Sequence, residues 1–81
     1  MMDIVSEILK IFKENNIHAG EVLPKQKMTE ALNNFPPEKK LKIRDAWHFL
    51  VGNQLIMEGN PEGPILTPRG EEYIQKHLNH K

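Results

Sequence analysis

Cysteine and long apolar runs are both absent from this sequence of 81 residues. Without cysteine the chain forms neither disulfide bonds nor thiolate metal sites, which suits a reducing compartment. No apolar stretch approaches the roughly 18 residues of a membrane-spanning helix, and the N-terminus lacks the basic and apolar regions of a signal peptide. We therefore expect a cytoplasmic protein that does not insert into a membrane.

Aromatic residues are scarce, with one tryptophan, one tyrosine and three phenylalanines. A series of aromatic platforms for stacking single-stranded bases is therefore not expected, and we predict that Trp47 and Tyr73 are core residues. The length leaves room for one domain, residues 1–81, with a small core. A chain of this size buries only roughly 60% of its unfolded surface.

Net charge is also absent, because 11 basic residues balance 11 acidic ones. The charges are nevertheless unevenly placed: residues 24–44 carry six basic and two acidic side chains, a net +4, whereas the segments before and after each carry a net −2. A basic middle between acidic ends predicts one face for an anionic partner. Lysines that only solvate two exposed helix faces would give the same count, so charge alone leaves both interpretations open.

The residue patterns that carry catalytic and metal chemistry are lacking as well. Ser6 is the only serine and has no evident base, and no glycine-rich phosphate loop occurs. The four histidines do not have the spacing of zinc ligand pairs, even though His77 and His80 are three residues apart. We therefore expect no enzyme, no catalytic or metal site and no cofactor, and no small-molecule ligand is evident.

Hydrophobic periodicity predicts helices in the first half of the chain, and local signals mark their ends. Asp3 can cap a first helix that runs to Asn15-Asn16, because asparagine tolerates the left-handed conformation that closes helices. Pro24 starts a second helix, since its fixed φ suits a first helical position. Pro36-Pro37 ends that helix, and Pro37 begins the third.

The third helix is the centre of the pattern. Its apolar stripe at helical spacing consists of Ile43, Ala46, Trp47 and Leu50. Trp47 lies in the middle of that stripe and is expected to be largely buried. Gly52-Asn53 then ends the helix and makes the turn into a strand.

A short hairpin and a fourth helix follow. The pattern predicts a strand at residues 54–58, a loop of four or five residues within 59–63, and the return strand at residues 64–66. A further very short strand is predicted at residues 21–23. Thr67-Pro68 starts the fourth helix, where Gly70 on the apolar side allows a close approach to a neighbour. The fold class is therefore α+β and mostly helical.

This order of elements resembles the winged helix-turn-helix domains of bacterial transcription regulators. In their third helix an aliphatic residue, an alanine with a large apolar residue and a leucine precede a Gly-Leu-Ile step. The corresponding residues here are Ile43, Ala46-Trp47, Leu50 and Gln54-Leu55-Ile56, with Gln54 in place of the usual glycine. The segment Leu66-Thr67-Pro68-Arg69-Gly70-Glu71-Glu72-Tyr73 also fits the family pattern Leu-Thr-x-x-Gly-x-x-Tyr. The resemblance covers nearly the whole chain and implies a three-helix helix-turn-helix core, a short β-hairpin wing and a C-terminal helix.

The resemblance also implies a function, which is binding of double-stranded DNA in transcription regulation. The third helix would enter the major groove and the second would brace it against the backbone. Carried over by position, the candidate DNA-binding residues are Lys39, Lys40, Lys42, Arg44, Asp45 and His48, with Lys25 and Lys27 as supporting phosphate contacts. The wing tip carries Glu62 and no cation, so we expect that it does not clamp the backbone.

The alternative function is a protein–protein interaction module that does not bind DNA, or a homodimer. Leu41 and Phe49 are the possible protein interface residues, near the outward side of the third helix. Leu41 could instead touch a thymine methyl group, and both side chains could pack against the second helix and the wing. Salt dependence separates the two functions, because binding through several lysines weakens steeply with salt.

Overall fold

The computed structural model describes residues 3–78, which form four helices and a two-stranded antiparallel hairpin. The elements are α1 (Ile4–Glu14), α2 (Lys25–Asn33), α3 (Pro37–Gly52), β1 (Ile56–Met57), β2 (Ile65–Leu66) and α4 (Pro68–His77). The fold is thus α+β and mostly helical, as predicted, and it is compatible with a winged-helix-like arrangement. No helix in this part of the chain is both long enough and apolar enough to cross a bilayer.

The predicted capping residues begin two of the helices. The carboxylate of Asp3 accepts a hydrogen bond from the amide of Ser6 at 2.8 Å, and the hydroxyl of Thr67 accepts one from the amide of Gly70 at 2.9 Å. Each bond satisfies an amide that the first turn of a helix leaves without a partner. Pro24 lies one position earlier than predicted, as the N-cap of α2.

Helices α1 and α3 end in the same way, with a residue in the left-handed conformation. Asn16 has φ of 59° and Gln54 has φ of 61°. At the end of α3 the amide of Leu55 donates to the carbonyl of Leu50 at 2.9 Å, and the amide of Gln54 donates to Val51 at 3.0 Å. This pair of bonds is the Schellman motif. The turn that was expected at Gly52-Asn53 is therefore completed by Gln54, at the position where the resembled family has glycine.

The core is built around α1, which packs against α2, α3 and α4. Its Ile8, Leu9 and Phe12 are completely buried, as is Leu50 of α3. The remaining buried apolar residues are Ile4, Ile11, Leu23, Met28, Ala46, Leu55, Ile56, Leu66 and Ile74. Gly70 lies so close to the chain entering β1 that a Cβ atom there would overlap the carbonyl oxygen of Leu55. This agrees with the predicted close approach of α4.

Trp47 packs against the core and is partly buried, but it does not lie in the middle of the buried stripe as predicted. Ala46 and Leu50 occupy the centre of the buried stripe, and Trp47 lies at its edge. The indole packs against the core on one side and donates from Nε1 to Oε1 of Glu58 at 3.0 Å. An indole needs such a partner for its N–H group when it is partly removed from water. Tyr73 is likewise partly buried against the core.

The hairpin is shorter, and its loop longer, than predicted. Ile56 pairs with Leu66 and Met57 with Ile65, and residues 58–64 connect the strands. We call these connecting residues the hairpin loop. The short strand expected at residues 21–23 is present as a single bridge between Val22 and Ile65.

Candidate functional site: the cations of α2 and α3

One side of α3 is free of contacts with the core and forms an outward strip. Its members recur at helical spacing and are all exposed: Leu41, Asp45, His48 and Gly52. Leu41 is the most exposed large apolar side chain of residues 3–78, at 83%. It therefore does not pack against α2 or the hairpin, which removes one of the interpretations open from the sequence.

The cations of α3 lie on two different flanks of this strip. Lys40 and Arg44 share a helical stripe with Trp47 and Val51, which we call the hairpin flank. Trp47 lines a groove with the hairpin loop, and Val51 lines another with Met57 of β1. The spacing therefore directs Lys40 and Arg44 to the side of the hairpin.

Lys42 belongs to the opposite flank. It is seven residues before Phe49, so both lie on one stripe, which we call the α4 flank. Phe49 is 48% exposed and lines a groove with Tyr73 and Lys76 of α4. The other residues that line this groove belong to α4 and to the chain between α3 and β1, and none belongs to the second helix or to the hairpin. The basic segment that the sequence presents as one cluster is divided between two sides of one helix.

Lys39 forms an ion pair with a residue of α1. Its Nζ lies 2.8 Å from Oε2 of Glu7, and both side chains are partly buried. The ion pair connects the first turn of α3 to α1 and neutralises the charge of Lys39. Among the lysine and arginine candidates, Lys39 therefore contributes least to a free cationic surface.

Lys25 and Lys27 lie in the first turn of α2 and are both exposed. That turn has no side-chain cap and no acidic residue, so the partial positive charge of the helix N-terminus adds to both lysines. Lys25 also lines the groove of about 430 Å³ that contains Trp47 and the hairpin loop. The fold therefore brings Lys25 to the same side as the hairpin flank of α3.

The hairpin loop is bound to the chain that enters α2. The amide of Lys25 donates to the carbonyl of Glu62 at 2.8 Å. Gly63 has φ of 143°, and a Cβ atom there would overlap the carbonyl oxygen of Leu23. The loop tip therefore lies against the start of α2, with the Glu62 side chain exposed and no cation beside it in the loop.

An ion pair that the sequence did not suggest joins the chain before α2 to α4. Nδ1 of His18 lies 2.7 Å from Oε2 of Glu71, and the amide of Ala19 donates to Oε1 of the same carboxylate at 3.1 Å. The hydrogen bond with Glu71 raises the pKa of His18, and the same bond lowers the pKa of Glu71. The two residues are 53 positions apart, so no local pattern could have predicted the contact.

The other two histidines of the described residues, His48 and His77, do not gather into a ligand set. His48 lies on the outward strip, and the ring of His77 lies 4.4 Å from that of Tyr73. Within residues 3–78 no three histidine, aspartate or glutamate side chains meet as metal ligands would. The sequence places His80 three residues after His77, and His80 lies outside the described residues.

Neither a known family model nor any curated protein or solved structure matches this chain significantly. The exposed cations Lys25, Lys40 and Arg44 on the hairpin side, with Lys42 across the strip, have the chemistry to neutralise phosphates. Arginine can in addition form paired hydrogen bonds with a guanine edge.

Proposed function

We propose that this protein binds double-stranded DNA as a winged-helix module and acts in transcriptional control. The observation that carries the proposal is the distribution of charge across α3. Lys40 and Arg44 flank the outward strip on one side, and Lys42 flanks it on the other, one helical turn after the exposed Glu38. The strip itself contains no lysine or arginine. Lysine or arginine side chains thus lie on both sides of the outward strip, whose own side chains are apolar or can accept hydrogen bonds.

This distribution suits the major groove of B-DNA. The groove is about 12 Å wide and admits an α-helix, whose diameter with side chains is about 10–12 Å. Its two walls carry phosphates and its floor carries the base edges. Cationic flanks therefore meet phosphates, while the strip meets bases.

The proposed roles follow from the chemistry of each side chain. Lys40 and Lys42 neutralise phosphates on opposite walls, and Arg44 also reaches a guanine edge. Lys25 and Lys27 contact the phosphate backbone at the positively polarised start of α2. Asp45 and His48, which lie on the outward strip, also contact base edges.

The test is a titration with random duplex DNA at several salt concentrations. Lys40→Ala and Lys42→Ala should each weaken binding to all sequences and lower the salt slope by about 1. Lys10→Ala is the matched control, because it removes the same charge from an exposed position on α1 that pairs with Glu14. Its salt slope should equal that of the wild type.

The outcome that overturns the proposal is the absence of binding at low salt. At about 50 mM salt even six phosphate contacts should give measurable affinity. Equal losses in the Lys10→Ala and Lys40→Ala variants would also contradict it, because binding would then follow net charge rather than the surface of α3.

A second function, protein–protein interaction, is favoured by Phe49. This side chain is half exposed in a groove with Leu55 and Tyr73, on the flank of α3 that faces α4. Buried aromatic anchors carry much of the energy of protein interfaces. Under this function Phe49→Ala should cost the most affinity for the partner, and the lysine substitutions should mainly change the association rate.

A further inference from the structure

Leu41 occupies the position on α3 where a base-reading side chain would stand. A single exposed leucine is common on protein surfaces and carries little information by itself. This one lies at the centre of the outward strip, in the second turn of α3, with 83% of its surface exposed. Its sequence neighbours Lys40 and Lys42 project about 100° to either side. Leu41 is therefore an apolar side chain that lies between two lysine side chains on the surface of α3.

The next member of the strip is a carboxylate. Asp45 follows Leu41 by one helical turn, about 6 Å along the axis, and it forms no ion pair within residues 3–78. An acidic protein partner that paired with Lys40 and Lys42 would bring its own carboxylates close to Asp45. On the floor of the major groove Asp45 would face base edges rather than phosphates, and the amino groups of cytosine and adenine donate hydrogen bonds there.

The base edges of the major groove present one apolar group, the C5 methyl of thymine. We infer that Leu41 packs against a thymine methyl group, so that this protein prefers duplex sites with thymine at one fixed position. The inference rests on the proposed DNA-binding function and adds the class of sequence that the site selects. Leu41 is in this role a specificity-determining residue, while Lys40 and Lys42 supply affinity for any sequence.

Replacing thymine by uracil tests the inference, because uracil lacks only the methyl group. Sites are first selected from randomised duplexes with the wild-type protein, and a constant thymine should emerge among them. Uracil at that position should then weaken binding about fourfold, the effect expected for one buried methyl-sized group. Uracil at other thymine positions should have little effect.

Two variants separate base reading from general affinity. Leu41→Ala should bind the thymine and uracil duplexes equally, at about the affinity of the wild type for uracil. Lys40→Ala, the matched control, should weaken binding to both duplexes and keep their ratio. Because Leu41 touches solvent over most of its surface, Leu41→Ala should unfold at the same urea concentration as the wild type.

The possible failures are distinguishable. Absence of binding to any duplex at about 50 mM salt overturns the proposed function, and this inference with it. Binding without a constant thymine in the selected sites overturns the inference alone. So does a thymine preference that survives unchanged in Leu41→Ala. A partner protein whose binding is lost in Leu41→Ala, while duplex affinity is not, would assign Leu41 to a protein interface instead.

Discussion

Gln54 adopts a backbone conformation that most side chains avoid. Its φ of 61° lies in the left-handed region, where a residue with a Cβ atom costs about 1–2 kcal/mol. The surrounding structure imposes this conformation, since two backbone hydrogen bonds and the burial of Leu55 close the end of α3 around it. Asn16 holds the same place at the end of α1 with φ of 59°, and asparagine tolerates this region better.

Gln54→Gly is therefore expected to stabilise the protein. Relief of the left-handed strain, about 1–2 kcal/mol, is partly offset by the extra backbone entropy of glycine in the unfolded chain, about 0.5–1 kcal/mol. A net gain of about 0.5–1 kcal/mol should appear as a higher urea midpoint with an unchanged slope. Asn16→Gly is the matched control and should gain less. Equal gains, or a loss in Gln54→Gly, would contradict the proposed strain.

Trp47 illustrates what residue patterns can and cannot predict. Helical spacing places it correctly on the same side as Ala46 and Leu50, and that part of the prediction is confirmed. How deeply each member is buried depends on what lies opposite. Leu50 is completely buried, whereas Trp47 meets the hairpin loop and the carboxylate of Glu58. The spacing of apolar residues predicts which side of a helix faces the core. How deeply each residue is buried depends on its tertiary contacts.

At the scale of elements, the His18–Glu71 pair connects the loop after α1 with the first turn of α4. The pKa of His18 is raised above 6.5, so its contribution to stability is complete below that pH and is lost as pH rises through the raised value. The pKa of Glu71 is lowered below 4.5, so its contribution is complete above that pH and is lost as pH falls through the lowered value. Both contributions are therefore present together between about pH 4.5 and 6.5.

The stability difference between the wild type and Glu71→Gln should accordingly be largest near pH 5.5 and smaller near pH 8.5. Urea midpoints at the two pH values measure it. The control is a double-mutant cycle with His18→Gln, which isolates the coupling between the two residues. A coupling of the same size at both pH values would contradict an origin in the charged pair.

The cations of α3 show a second limit of the sequence. The net charge of residues 24–44 marks a cationic segment of the sequence, because charge can be counted without a structure. The division of Lys40 and Lys42 between two flanks was also available from helical spacing. The loss of Lys39 to Glu7 was not, because those residues are 32 positions apart and meet only through the packing of α1 on α3.

At the scale of the whole molecule, the net charge is zero, so attraction to DNA depends on where the individual charges lie on the surface. Glu62 lies at the hairpin-loop tip, which is bound to the start of α2 beside Lys25. If the side of the molecule that carries Lys25, Lys40 and Arg44 binds DNA, the negative charge of Glu62 should repel the phosphates. Glu62→Lys is therefore expected to tighten non-specific duplex binding and to increase the salt slope by about 1.

Glu14→Lys gives the same change in net charge on the exposed end of α1 and serves as the control for this substitution. It should leave duplex binding nearly unchanged. If Glu62→Lys also leaves the affinity and the salt slope unchanged, the hairpin loop stands clear of DNA.

The element order was predictable because caps, prolines and apolar spacing act locally. Asp3, Thr67 and Pro37 each determine a helix start within one turn, and the structure confirms all three. The hairpin loop was longer than expected for a different reason. Its length is determined by contacts of Gly63 and Glu62 with the chain before α2, about 40 residues away in sequence.

The central position of α1 has a consequence for synthesis of the chain. Its apolar side, with Ile8 and Phe12 completely buried, is covered by α3 and by α4. A ribosome that adds about 5–20 residues per second needs roughly 3–12 s to proceed from the end of α1 to Ile74. During that time α1 has left the site of peptide-bond formation but lacks the last helix that covers it. Helix α1 is thus made before the helices that enclose it, and its apolar side is not fully covered until α4 has been synthesised.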